Sequence, residues 1–386
     1  MRLVRALDGG TARLVRGGAN DLPAVRSIAR ECENLAMTEP TGRYSTARVL
    51  DAWYAACRSD DLSERPIART IFDLPVVLFR DSSGRAAALL DRCAHRNAPL
   101  SLGSVDAAGR LACPYHGWRF DGRGACREVP GLLERDTETG RSVPAFATSE
   151  SDGFVWVWAR SDSEPAGEPM RIPCLGHPDY ITVIREYDVE CTMHAALENA
   201  LDVPHTAFVH RGDFRGKESR EIEAVRRRIP NGFEVEYLGE PPLSGATHTP
   251  DGQPITSWHW DRFFLPSLAQ VEYKTSTGRH LINTLPHTPV TDFRTRFWLV
   301  SCWNVPPEKR AEMQPIIEKQ LDTILGQDVE ILRAQTRRIR ELGGESFRST
   351  PLDLMGPEIL RMLKAAEHGE PADTAPIERR VKLQVF

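Results

Sequence analysis

The chain has 386 residues, of which 27% are charged, and a formal net charge of −5. This mildly acidic balance excludes a protein that binds nucleic acid through a basic surface. The length exceeds what one compact core usually holds, so the composition predicts a globular protein of two domains.

The longest apolar runs are strand-sized, such as residues 154–159, and no membrane span is predicted. The first 45 residues lack the apolar core and the cleavage site of a secretory signal, which favours a cytoplasmic location. Eight cysteines are few for an extracellular disulfide scaffold, and clustered Cys and His in a cytoplasmic chain are more often metal ligands.

The pattern of apolar residues divides the chain into three parts. Residues 1–45 show no sustained period and are predicted to be an N-terminal extension. Residues 46–165 are predicted to form an all-β domain, because short apolar runs alternate there with Gly, Pro and Asp. Residues 166–386 mix strand-like runs with helical segments, so the whole chain is predicted to be α+β. The strand-like runs are residues 71–79, 86–91 and 154–159, then 181–189, 233–238 and 296–305.

Two pairs of potential metal ligands lie in the first domain. Cys93 and His95 form one pair, and Cys113 and His116 form the other. Two thiolates and two imidazoles suit either a tetrahedral zinc or a [2Fe–2S] cluster in which two His replace two Cys on one iron. A structural zinc site usually keeps like ligands together, whereas each pair here contributes one Cys and one His. The spacing therefore favours the iron–sulfur cluster over zinc.

The second pair is followed by a diagnostic segment. CPYHGWRFDGRG, with Pro114, Gly117 and Trp118, closely resembles the Rieske proteins. No further Cys lies beside either pair, which resembles the oxygenase type rather than the respiratory type. The other six cysteines are interpreted as small buried apolar residues.

A second metal site is suggested by His205 and His210. In an ideal helix, residues five apart lie roughly 140° from one another, so this spacing by itself more often joins unrelated histidines. Pro204 disrupts the helix at this turn and could bring the two together.

A third ligand is suggested by a long amphipathic helix predicted over residues 307–342. Its apolar face is predicted to contain Ile317, Leu321, Ile324, Ile331 and Leu332. Asp328 falls in the middle of this face, whereas Asp322 and Glu330 lie off it. A buried carboxylate must be paired, so Asp328 is either a metal ligand or the partner of an Arg. With two His it would complete a 2-His-1-carboxylate site for Fe(II).

The segment ENALDVPH, which ends at His205 and is followed by His210, resembles the mononuclear iron motif of the Rieske non-haem iron oxygenases, alpha-subunit type. The resemblance implies that His205, His210 and Asp328 bind Fe(II). It also implies that Asp202 forms an electron-transfer bridge to a neighbouring subunit, that Asn199 lies near the iron, and that the protein is a homotrimer. For the second domain it implies a helix-grip-like antiparallel sheet.

This resemblance implies a terminal oxygenase that activates O₂ at Fe(II) with electrons from its Rieske cluster. No flavin site or nicotinamide-binding glycine motif is found, so NAD(P)H would act through a separate reductase or ferredoxin. The expected substrate is a ring-containing, largely apolar small molecule. Aromatic residues follow strand-like spacing from residue 258 to 285, and Trp258, His280 and Asn283 are predicted to line the pocket.

Three functions remain open from the sequence. The first is hydroxylation or oxidative demethylation by a homotrimer. The second is cis-dihydroxylation by a large subunit that has a small partner. The third is a pure electron carrier or zinc module with an inactive second site.

Overall fold

The computed structural model describes residues 44–133, 140–212, 219–243, 245–370 and 377–385. The predicted N-terminal extension therefore lies, except for its last two residues, outside the described residues. Among the described helices, none is both long and apolar enough to cross a bilayer.

The N-terminal half contains three small antiparallel sheets, with strand orders β1-β11-β10, β2-β3-β4-β9 and β5-β6-β7-β8. These strands are β1 (Trp53–Arg58), β2 (Ile67–Ile71), β3 (Leu74–Arg80), β4 (Ala86–Leu90), β5 (Ser104–Val105), β6 (Leu111–Ala112), β7 (Arg119–Phe120), β8 (Cys126–Glu128), β9 (Ala145–Phe146), β10 (Thr148–Ser151) and β11 (Phe154–Trp158). Short 3₁₀ helices cover Ser59–Asp61 and Leu100–Leu102. This half is all-β over its described residues, as predicted.

The strand predicted over residues 71–79 is instead a hairpin. Phe72 and Asp73 have φ values of 51° and 65° and form a two-residue turn between β2 and β3. Such turns need positive φ at both central residues. Because Phe72 is apolar, this turn looks like part of one apolar run in the sequence and was not predicted.

The C-terminal half is built on one antiparallel sheet of eight strands, in the order β12-β18-β17-β16-β15-β14-β13-β19. Its strands are β12 (Tyr180–Val189), β13 (Arg220–Ile229), β14 (Gly232–Leu238), β15 (Ser257–Phe264), β16 (Leu268–Thr275), β17 (His280–Thr291), β18 (Arg294–Asn304) and β19 (Glu378–Val385). The helices are α1 (Met193–Leu201), α2 (Thr206–Val209), α3 (Arg310–Glu341) and α4 (Gly356–Glu367), with a 3₁₀ turn at Pro307–Lys309 before α3. The α+β prediction is confirmed.

The long helix α3 lies where the sequence predicts it, but its buried face is rotated. Its buried residues are Ile317, Leu321, Leu325, Asp328, Val329, Leu332 and Thr336. Ile331, predicted on this face, is 47% exposed. At about 100° per residue, Ile331 lies about 100° from the centre of the face, whereas Leu325 and Val329 lie closer to it. Asp328 is buried, and Asp322 and Glu330 are exposed, as predicted.

Candidate metal centres

Two loops with the same backbone turn carry the four predicted cluster ligands. The N–H of Asn97 donates to the carbonyl of Cys93 at 3.0 Å, and the N–H of Gly117 donates to the carbonyl of Cys113 at 3.0 Å. Asn97 and Gly117 have φ values of 60° and 72°, a conformation that Gly and Asn adopt most readily. Each turn thus returns the chain just beyond its Cys and His.

The donor atoms of these loops suit an iron–sulfur cluster. Cys93 and Cys113 are buried, and burial above all raises the pKa of Cys93 to about 11, so metal binding must displace a proton from its thiol. The rings of His95 and His116 lie 4.5 Å apart. Nδ1 of His95 is buried without a hydrogen-bond partner in the described part of the chain. An unpaired buried nitrogen is costly, and ligation would satisfy it.

The same four residues do not fit a single zinc ion. Among the described residues, one group of three or more potential metal ligands has all its ligand atoms within 4.8 Å of one another. None of these four residues belongs to that group. The ligands of a tetrahedral zinc converge because each lies about 2.0–2.3 Å from the ion. The ligands of a two-iron cluster are divided between its irons. The geometry therefore favours the cluster.

The second centre forms where the helical chain breaks. Helix α1 ends at Leu201 and the short helix α2 begins at Thr206, so the predicted irregularity at Pro204 is present. His205 and His210 flank α2 at its two ends. This break allows both rings to face Asp328 on α3.

Three ligand atoms meet at this point. Nε2 of His205 lies 3.3 Å from Nε2 of His210, and Oδ1 of Asp328 lies 3.5 Å and 3.2 Å from these two nitrogens. Ligand atoms about 2.1 Å from one metal ion and roughly at right angles lie about 3 Å apart. The spacing therefore fits one ion held by two imidazoles and a carboxylate.

Neighbouring polar groups orient both rings. Oδ2 of Asp202 accepts from the backbone N–H of His205 at 3.0 Å and lies 3.2 Å from its Nδ1. Oε1 of Gln327 lies 2.7 Å from Nδ1 of His210. Because both Nδ1 atoms are engaged as donors, both Nε2 atoms are left for a metal. Gln327 was not predicted, although its place beside Asp328 on the same helix was a usable signal.

The electrostatics of this centre are those of a site that binds a cation. Burial lowers the pKa of His205, but hydrogen bonds to Asp202 and Asp328 outweigh it and raise that pKa to about 9. Burial raises the pKa of Asp328, yet the two His hold it below its ordinary value. Asn199 donates to Oδ1 of Asp328 at 3.2 Å. A divalent ion would take the place of the proton as the counter-charge of Asp328.

A largely apolar cavity that opens to solvent adjoins these ligands. Its apolar lining consists of Ala200, Leu201, Val203, Val271, Leu281, Leu285, Leu299, Trp303, Leu321, Ile324 and Leu325. Asn283 lines it, but Trp258 and His280 do not. Trp258 precedes the lining residue His259 on β15, so it points to the other face of the sheet. His280 contacts Tyr180 and Glu272 instead. Trp258 and His280 are therefore not part of the proposed site.

Sequence reasoning missed a buried polar cluster on the cavity wall. His259 and Asp261 line the cavity, and Glu240 contacts His259. The two strand residues occur in an alternating run, WHWD, that is typical of any half-buried strand, and Glu240 lies outside that strand. No sequence signal joined the three.

Residues 52–145 match the Rieske [2Fe-2S] domain family, and residues 189–366 match the vanillate O-demethylase oxygenase C-terminal domain family. The dicamba O-demethylase oxygenase component of Stenotrophomonas maltophilia is 31% identical over 314 residues, which cover 75% of this chain and 88% of that protein. The chain belongs to the Rieske oxygenases.

Other similarities agree with this assignment. The vanillate O-demethylase oxygenase subunit of Pseudomonas sp. (strain HR199 / DSM 7063) is 27% identical over 363 residues, which cover 85% of this Rieske oxygenase and 98% of that subunit. The crystal structure of dicamba monooxygenase bound to dicamba matches with a TM-score of 0.70 at 27% identity, over 84% of this chain and 98% of that one.

This Rieske oxygenase is an oxidoreductase that uses O₂, a [2Fe–2S] cluster and a mononuclear non-haem iron. Its homologues are oxygenase components that work with a separate reductase or ferredoxin. The alternative of a pure electron carrier or zinc module is therefore wrong.

Proposed function

We propose that the chain hydroxylates or oxidatively demethylates a ring-containing, largely apolar small molecule in the cavity beside His205, His210 and Asp328. The observation that carries this proposal is the convergence of these three ligand atoms at an apolar cavity, in a chain that also carries the two Cys-His loops. The match to the vanillate O-demethylase C-terminal domain favours demethylation or hydroxylation over cis-dihydroxylation.

In this mechanism Cys93, His95, Cys113 and His116 would hold the [2Fe–2S] cluster. His205, His210 and Asp328 would hold Fe(II). When bound, these groups supply the reduction of O₂ with two electrons and two protons, so that one oxygen atom enters the substrate and the other leaves as water.

The residues around the iron site position its ligands and the substrate. Asp202 and Gln327 fix the two His rings, and Asn199 holds the Asp328 carboxylate. The leucine-rich wall excludes water and receives the ring. Asn283, whose Oδ1 accepts from Ser301 at 2.6 Å, offers its amide to a polar substrate group.

The decisive experiment is a product screen under O₂ with a surrogate reductase and a panel of aromatic ethers, amines and hydrocarbons, read by mass spectrometry. The gain of one oxygen atom or the loss of a CH₂ unit supports the proposal. Products that gain two oxygen and two hydrogen atoms, together with a co-purifying small subunit, would identify a dihydroxylating large subunit instead.

We further propose a homotrimer in which each cluster faces the iron site of the next chain. His116 is exposed, and the neighbouring Tyr115 is 66% exposed. On the other domain, Phe208 between the two iron His is 72% exposed, and the Asp202 side chain is 30% exposed. The cluster loop and the iron site of one chain are thus both exposed at the surface. This exposure would allow each of them to contact a neighbouring chain. Light scattering of the holoenzyme should give the mass of three chains.

Within this assembly, Asp202 would bridge His205 and a cluster His of the neighbour. Asp202→Asn should leave both metal centres filled but slow the re-oxidation of the cluster, measured by stopped-flow absorbance. Unchanged re-oxidation and turnover would refute the bridge.

A cytoplasmic location is also proposed, because the electrons would come from NAD(P)H through a separate reductase. Cell fractionation with an antibody to the chain tests this location.

A further inference from the structure

The described cavity wall carries acids and histidines but no lysine or arginine. Besides the iron ligands and Asp202, the ionisable side chains that line the cavity are His259, Asp261 and Tyr273, and no Lys or Arg is among its described lining residues. The described wall therefore offers an anionic substrate group no Lys or Arg as an ion-pair partner.

Glu240, His259 and Asp261 form a buried acidic triad on this wall. Nδ1 of His259 lies 2.6 Å from Oε2 of Glu240, and its Nε2 lies 2.9 Å from Oδ1 of Asp261. The side chains of His259 and Asp261 are each 2% exposed and that of Glu240 is 6% exposed. Both ring nitrogens thus point at carboxylates, an arrangement that requires N–H on each.

The triad contains two acids and one base. Burial lowers the pKa of His259, but Asp261 and Glu240 outweigh it and raise that pKa to about 9, so the ring is an imidazolium at neutral pH. Burial above all, and then the nearby acids, raises the pKa of Tyr237, which stacks on His259 with ring centroids 4.6 Å apart and stays neutral. Tyr273 stacks on the other side at 3.9 Å.

The position of the triad on the sheet places one of its carboxyl groups at the cavity. Asp261 pairs with Val271 across β15 and β16, and His259 pairs with Tyr273, and all four residues line the cavity. Glu240 is not among the lining residues, so Asp261 is the carboxylate of the triad that a bound molecule meets. Within the described part of the chain, the side chain of Asp261 is hydrogen-bonded to His259.

We propose that Asp261 determines substrate specificity by binding a protonated amino group, so that the substrate is a ring compound carrying a cationic nitrogen. This inference rests on the proposed function only in treating the bound molecule as a substrate, since the charge preference concerns binding. A buried carboxylate on a wall whose described lining has no Lys or Arg stabilises a cation and repels an anion.

The test uses three ring probes of similar shape: benzylamine, which is cationic at neutral pH, benzyl alcohol, which is neutral, and benzoate. Their binding to the metal-loaded protein is measured by isothermal titration calorimetry. We expect benzylamine to bind about tenfold or more tighter than benzyl alcohol, as for a hydrogen bond to a charged group, and benzoate to bind most weakly.

Asp261→Asn keeps the shape and an acceptor for His259 but removes the charge, and should bring benzylamine to within about threefold of benzyl alcohol. Glu240 lies behind His259, so Glu240→Gln should reduce the preference for benzylamine less than Asp261→Asn does. It provides a second variant if Asp261→Asn does not fold. Glu236→Gln is the matched control. It removes an acid on the opposite face of the same sheet, since it pairs with Trp260, and should leave the preference unchanged.

Equal binding of benzoate and benzylamine, or an unchanged preference in folded Asp261→Asn and Glu240→Gln, would overturn the inference. The outcome is separable from the proposed function. A protein that prefers the amine but oxidises no compound contradicts the oxygenase proposal alone, whereas a protein that oxidises compounds without this preference contradicts the specificity proposal alone.

Discussion

At the residue scale, Asp328 shows how an otherwise unfavourable position becomes a candidate metal ligand. It is a carboxylate on the buried face of α3, and burying an ionised group costs free energy unless it is paired. No Arg or Lys pairs with it among the described residues, and its partners are His205, His210 and Asn199. The partners exclude the Arg ion pair that the sequence left open.

The first prediction concerns iron occupancy. Asp328→Ala should lose the mononuclear iron and all turnover but keep the cluster and its visible spectrum, because the Cys-His loops do not depend on this carboxylate. Asp322→Ala is the control, since Asp322 lies on the exposed side of the same helix and pairs with Arg185. Iron analysis and absorbance together report both centres. Turnover by Asp328→Ala would disprove its role as a ligand.

The second prediction concerns Gln327. Gln327→Leu removes the acceptor for Nδ1 of His210, and loss of such an outer partner typically weakens metal affinity about 10–100-fold. Competition with a chelator measures this affinity. Gln314→Leu, at an exposed Gln that bonds Glu318 on the same helix, should leave it unchanged. Equal affinities in the two variants would count against an orienting role.

At the element scale, α3 joins stability to function, because the face that packs on the sheet also carries Asp328. The period of its apolar residues is sufficient to predict both the helix and the burial of Asp328. The exact rotation of the face could not be predicted, since the choice of Leu325 and Val329 over Ile331 is decided by the sheet against which the helix packs. The hairpin at Phe72 and Asp73 was missed because the pair does not have the composition of a typical turn.

The residues of the site also divide into those that the sequence could predict and those that it could not. Residues that share a motif, such as His205 and His210, could be predicted from the resemblance of that motif, although their spacing alone did not indicate a site. Glu240, His259 and Asp261 could not, because strand pairing and burial bring them together and neither leaves a pattern in the sequence.

The third prediction tests the packing of α3 with two isoleucines. Ile317 is 1% exposed and Ile331 is 47% exposed on the same helix. Ile317→Ala should lower the free energy of unfolding by about 2–5 kcal/mol, as expected for a buried large-to-small change. Ile331→Ala should change it by less than about 1 kcal/mol. Urea denaturation of the two variants measures the difference, and similar midpoints would contradict the observed rotation of the helix.

At the scale of the whole molecule, the cluster loops and the iron site both reach the surface of the chain. Electrons could pass within one chain or between chains, and the exposed His116 and Phe208 favour the second path. The two paths differ in whether a chain needs both of its own centres to be active.

The fourth prediction follows from passage between chains. His116→Ala removes a cluster ligand, Asp328→Ala removes the iron, and each variant should be inactive alone. Co-expressed in mixed oligomers, they should regain part of the wild-type activity, because the cluster of the second serves the iron of the first. Adding Asp202→Asn to the His116→Ala chain should abolish this rescue, since that chain holds the working iron. Adding it to the Asp328→Ala chain is the control and should not. Product formation by affinity-purified mixed oligomers measures the rescue, and inactivity of oligomers shown to contain both chains would place electron transfer within one chain.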